Sequence, residues 1–301
     1  MAEQNFQQDR SQEAPDYHHL LWMQLLFEEQ PQRPAPEAIQ AALAQRFGEV
    51  DIVSSADLCS FAVRRFPVQY SDADVPAQVL MAMAKPFEAG SISDFERSQL
   101  WDLPEKEEFL ARCRYGLMLS DFMASGLSYK ERCSLLTGWL ETALDLFPDC
   151  IGVWVPSAGK LLDRERLLGN PLQGEDRFLW FGVNARFFNI QDSDDMIMDT
   201  LGLFAIGLPD VQLHFRDMDP NPLASYLYNV AQYLYDNDCP IKSGETIDGV
   251  GPDGSISREL QWTCAYEHSL LQPARDVLDI CPGPFAAGRR SGKDKKGNFY
   301  K

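Results

Sequence analysis

Strand-type and helix-type apolar stretches follow one another along this chain without the regular alternation of a doubly wound sheet. LLWMQLLFEE from Leu20, DIVSS, LCSFAVRRF, VPAQVLMAM, RYGLMLSDFMA and IGVWVPS have strand character, as do FLWFGVNARFFNI, MIMDTLGLFAIG and VQLHFRD, which come in succession. Between them lie stretches with helical spacing. PEAIQAALAQRFG starts on Pro36 and stops at Gly48. Ser93 with Glu96, and Ser128 with Glu131, have the spacing of capping boxes. The helix after Ser128 presents Cys133, Leu136, Leu140, Ala143, Leu144 and Phe147 at core spacing and ends at Pro148. A last helix, expected to open on Asn221 and run from Pro222 to Asp236, buries Leu223, Leu227, Val230 and Leu234. This order predicts an α+β fold, with mostly antiparallel sheets and packed helices, readable as two related halves. The expected divisions are a mobile leader over 1–16, an N-terminal α+β half over 17–111, a C-terminal half over 112–288 and a basic tail over 289–301.

The second constraint is charge. The chain has 301 residues and a net charge of −18. The last thirteen residues hold six of the 27 Lys and Arg and one of the 45 acids, so residues 1–288 carry −23. Such a body repels nucleic acid and associates quickly with a basic protein partner. The N-terminal stretch lacks the basic start and apolar centre of a signal peptide, and no run has the roughly 18 apolar residues of a membrane span. Seven cysteines without a CxxC spacing suggest free thiols in a reducing compartment. The expected location is the cytoplasm, with neither membrane nor cofactor.

Motifs for catalysis are sparse. GxSxG and HExxH do not occur, Ser157 has no histidine near it in sequence, and the glycines of ETIDGVGPDGS fit tight turns, not a phosphate loop. Two constellations stand out. Asp210 and His214 lie four apart on a strand-like segment and so share a face; with Asp199 they would make the ligand set of a metal-assisted hydrolase. Asp192, Asp194 and Asp195 form an acidic cluster, and Tyr228 and Tyr235 are seven apart on the last helix. An aromatic core with an acidic rim suits a protein interface, so these five residues are the expected partner contacts. A housekeeping adaptor is a further alternative.

Three blocks carry a resemblance: FPDCIGVWVPSAGKLL (147–162), MDTLGLFAIGLPDVQLHF (198–215) and the stretch from Asn221 to Gly249. Together they resemble a bacterial family described only as a domain of unknown function, with MDTLG followed by GLPDxQ as the specific part. The resemblance spans about the C-terminal two thirds of the chain and implies no catalytic residue. By type, an acidic α+β chain without enzyme motifs also resembles the immunity proteins of toxin loci, including type VI secretion clusters. That second resemblance implies a protein that binds and neutralises a cognate toxin, such as a nuclease with a basic cleft.

Overall fold

The computed structural model describes residues 14–288; the basic tail and residues 1–13 of the expected leader lie outside the described residues. Of two compact units, one spans Asp16–Val183 and the other runs from Asn184 onward and also takes in Ala14 and Pro15. The first contains β1 (Trp22–Phe27), α1 (Pro36–Phe47), β2 (Val50–Ser55), β3 (Cys59–Gln69), β4 (Asp74–Met81), β5 (Lys85–Pro86), α2 (Asp94–Ser98), α3 (Lys106–Arg112), β6 (Tyr115–Phe122), α4 (Tyr129–Leu146), β7 (Gly152–Val155), β8 (Lys160–Asp163), α5 (Arg164–Gly169) and α6 (Gly174–Gly182). Its sheet has the order β2-β3-β4-β6-β1-β7-β8, with β5 beside β6, and all its pairs are antiparallel. The 111/112 boundary expected from the sequence falls inside this unit, because β6 pairs with both β1 and β4.

Helix α4 organises one face of that sheet. Both bonds of the Ser128–Glu131 capping box form, satisfying the amides that a helix start leaves open. All six of its expected core residues are buried. Trp139 packs near Phe61 and donates its indole N–H to the Leu80 carbonyl at 3.1 Å, while Phe27 meets Phe147 edge-on. Helices α1 and α6 contact α4. At Gly138 a Cβ would collide with the Phe47 ring, so the missing side chain is what lets α1 pack so tightly against α4. A second core joins Leu26 and Trp154 to Phe109 and Leu110 of α3.

The second unit comprises β9 (Asn184–Asn189), β10 (Met196–Leu201), β11 (Asp210–Phe215), α7 (Pro220–Asp236), β12 (Thr246–Val250), β13 (Ile256–His268) and β14 (Asp276–Cys281). Its six strands run in the order β12-β13-β14-β11-β10-β9, antiparallel except for β11 with β14. Helix α7 lies against β9, β10, β11 and β12. Leu223, Leu227, Val230 and Leu234 are buried as the spacing predicts, as are Val211, Leu213 and Phe215 on alternate positions of β11. The architecture is α+β, as expected. The two units do not repeat each other, since strand number, strand order and the parallel pair all differ.

Three local expectations are corrected. FLWFG closes α6 and is not a strand, because a short unbroken apolar run fits either element. LFAI forms a 3-10 turn at Leu203–Ile206, so β10 ends at Leu201. Helix α7 starts at Pro220 and is capped by Asp219, whose carboxylate accepts the Asn221 amide at 3.0 Å; Asn221 is inside the helix.

All seven cysteines are reduced thiols, five of them buried. Burial pushes the thiols of Cys113 and Cys264 up to about 12 and that of Cys150 up to about 11. Burial keeps a disulfide reagent from five of the thiols, so it should label the native protein only at the half-buried Cys281 and, more slowly because burial and Asp238 raise its thiol, at Cys239, and all seven after unfolding. Rapid labelling of five or more thiols in the native state would contradict this packing. Gly138→Ala should cost roughly 1–3 kcal/mol in urea unfolding, because the new methyl has to displace the Phe47 ring.

Candidate functional site

Asp199 and Asp210, both fully buried, share one face of the second sheet. Strand register places Arg186, Asp199, Gln212 and Asp279 in directly paired positions across β9, β10, β11 and β14. Alternation puts Asp210 on the face of Gln212. Arg186 grips Asp199 with two bonds, Nε at 2.9 Å and Nη2 at 2.6 Å. Arg275 joins the two carboxylates, with Nη2 at 2.7 Å from Asp199 and Nε at 2.8 Å from Asp210. Its Nη2 also donates to the Thr200 carbonyl at 2.7 Å. Burial opposes the Arg275 charge, yet Asp199 and Asp210 hold its guanidinium above the ordinary value. Burial pushes the Asp210 carboxyl up; the charge and hydrogen bond of Arg275 oppose the rise, Asp199 adds to it, and Thr200 opposes it.

Asp210 also shapes the chain around it. The Thr200 hydroxyl donates to Oδ1 at 3.0 Å and accepts from the Val211 amide at 2.9 Å. The Leu203 amide reaches Oδ1 at 3.1 Å, and those of Gly202 and Phe204 approach Oδ2 at 3.4 and 3.5 Å. A single carboxylate therefore collects the open amides of the 3-10 turn. Gly207 closes that turn at φ +84°, a left-handed conformation that favours glycine. The MDTLG and GLPD blocks are thus two ends of one charged staple.

His214 stands apart from this network. Its Nε2 lies 3.6 Å from Asp195, which also pairs with Arg216 at 2.8 Å and accepts the Gly288 amide at 3.3 Å. Gly288 sits against the imidazole, where a Cβ would come within 2.6 Å of the ring. Asp199, Asp210 and His214 do not converge as a ligand set. Among the described residues no group of three or more His, Cys, Asp or Glu has metal-binding geometry. The arginines occupy the carboxylates on which the hydrolase alternative rested.

The expected partner contacts separate in the same way. Asp192 and Asp194 are exposed in the β9–β10 turn, whereas Asp195 is buried and ion-paired. Tyr228 is half-buried. Tyr235 is 0% exposed and belongs to the core, because the apolar stripe of α7 is wide enough to include it. Tyr233, two residues earlier, is the exposed ring.

Beside the staple an open groove of about 570 Å³ is lined by Phe204, Gly207, Leu208, Pro209, Tyr266, Glu267, His268 and Asp276. The 3-10 turn and GLPD supply one wall; the end of β13 and the start of β14 supply the other. The Arg275 guanidinium lies 6.0 Å from the centre of the Phe204 ring, so the buried network backs this wall directly. Tyr266 donates its hydroxyl to the Ile241 carbonyl at 2.8 Å and remains 39% exposed. His268 pairs with Asp276 at 3.3 Å in open solvent. The chemistry offered is a small apolar and aromatic floor with an acidic rim. Sequence reasoning missed it, and missed Arg186 and Arg275. The signal available was a carboxylate inside the apolar run MIMDTL, which demands a cation somewhere in the fold.

A family model described as "Domain of unknown function (DUF4261)" matches residues 199–281, and the chain is similar to that family over this stretch. No curated protein and no solved structure matches. The matched stretch contains both network carboxylates, Arg275 and every residue of the groove, but not Arg186.

Removing Arg275 leaves the buried Asp210 without a cation and Asp199 with Arg186 alone. Arg275→Gln should therefore lower stability by about 3–5 kcal/mol in urea unfolding, far beyond the effect of an exposed arginine such as Arg258.

Proposed function

We propose that this chain is a non-enzymatic binding protein for a basic protein partner, with the groove at Phe204, Leu208 and Tyr266 as its contact centre. The most concrete form of this reading is a cytoplasmic immunity protein that occludes a cognate toxin, such as a type VI secretion nuclease.

The observation that carries the reading is how charge is divided in the second unit. Residues 184–288 hold 16 Asp and Glu against five Lys and Arg. Arg186 and Arg275 are buried against acids, so the surface shows eleven exposed carboxylates to three exposed bases. Aromatic and aliphatic side chains in the groove offer the anchor, while Glu267 and Asp276 offer the rim. Asp192 and Asp194 sit at the other end of β10 and β11, about 17 Å away along the strands. At that range they act mainly through the field, on the rate of encounter. No helix among the described residues is long and apolar enough to cross a membrane. The free cysteines suit a reducing compartment.

The test begins with a tagged pull-down from the native host at low and moderate salt, followed by binding kinetics with the purified partner. A basic protein should co-purify, and salt should weaken it. The double variant D192K/D194K should slow association roughly tenfold and flatten its salt dependence. Tyr266→Ala should speed dissociation and cost about 2 kcal/mol of affinity. Recovery of the protein alone, or a partner indifferent to Tyr266, would contradict the reading.

A further inference from the structure

A second site lies in the first unit, in a groove of about 490 Å³ between α1, α4 and α6. One side of α4 supplies Ser134, Thr137, Gly138, Glu141 and Asp145, at the three- and four-residue spacing of a single helical face. Arg46, Arg65 and Arg177 converge on the same space. Three guanidiniums thus face two carboxylates, in a unit whose remaining charge is predominantly acidic.

The bonding leaves specific donors open. Glu141 acts as a strut: Oε2 pairs with Nη1 of Arg46, and Oε1 lies 3.3 Å from Nη1 of Arg177. Asp145 reaches Arg46 only at 3.8 Å from the rim. Arg177 Nη2 donates to the Leu167 carbonyl at 2.6 Å, which fixes the side chain while Nε stays without a partner. Thr137 is 2% exposed, and its hydroxyl also has no partner. Thr142 on the same helix differs, because its hydroxyl donates back to the Gly138 carbonyl at 2.8 Å. Arg65, stacked at the Phe66 ring, has no carboxylate within salt-bridge range among the described residues. A buried hydroxyl and a buried guanidinium N–H left open cost stability unless something meets them.

We infer that this groove binds a small oxyanion-bearing molecule, a phosphate ester or a polycarboxylate, through Thr137, Arg177 and Arg65. A tetrahedral or planar oxyanion has the acceptors that these three donors lack, and the volume is that of a metabolite-sized site. The inference is independent of the basic-partner reading, because it concerns another unit and the opposite charge.

The test is calorimetric titration of the full chain with inorganic phosphate and, separately, with citrate, at matched ionic strength in chloride buffer. Saturable binding of at least one anion is expected. Thr137→Val should weaken it roughly tenfold while leaving the melting temperature of the anion-free protein unchanged or higher, since an unsatisfied hydroxyl is removed. Arg65→Gln, at an exposed position, should weaken binding to a similar degree. Phosphate alone would assign a phosphate ester, and citrate alone a polycarboxylate. Saturation by neither anion, or unaltered binding to Thr137→Val, would overturn the proposal.

Discussion

Two carboxylates taken fully out of water have to meet a cation, and in the second unit that cation is Arg275. An isolated ionised carboxylate in an apolar interior is too costly to persist. Arg275 joins Asp199 on β10 to Asp210 on β11, and Arg186 closes the other side of Asp199. The amides of the 3-10 turn, the entry into β11 through Thr200 and the loop carrying Arg275 are all tied to these two carboxylates. The first unit uses the same device. Asp121, fully buried, is gripped by Arg132 of α4 through Nε and through Nη2 at 3.1 Å, and accepts the Leu21 amide at 2.7 Å. Arg132 also donates to the Tyr17 carbonyl at 2.9 Å, which ties the start of the unit to α4.

Interior pairing has an external consequence. An arginine committed to a buried aspartate cannot offset a surface one, so the second unit faces solvent with its acids largely uncompensated. The groove that would use this field is built on the same scaffold, with Phe204 against Arg275 and Leu208 and Pro209 just ahead of Asp210. The stretch similar to a family of unknown function thereby contains both the staple and the surface that the staple holds in place.

What the sequence revealed, and what it did not, divides by the range of the interactions. Both capping boxes, the core face of α4 and the buried stripe of α7 are properties of residues three or four apart, and all were legible. FLWFG was ambiguous because four apolar residues in a row satisfy either period. Tyr235 lies outside the stripe that Leu223, Leu227, Val230 and Leu234 mark by spacing, yet the buried face of α7 is wide enough to include it. Asp199 and Asp210 looked like metal ligands because their true partner, Arg275, lies 65 residues beyond Asp210. The groove is assembled from residues 204–209 and 266–276, which only the pairing of β11 with β14 brings together. Local patterning cannot show such a pairing.

The claim on which the rest depends is that Asp210 and Arg275 act as one unit. A double-mutant cycle with Asp210→Asn, Arg275→Gln and the double variant, followed by urea unfolding, measures their coupling directly. The account predicts a coupling energy of roughly 1.5–3 kcal/mol, with the double variant much more stable than the two single losses summed. Strict additivity would contradict it, and would reopen a chemical role for the two aspartates.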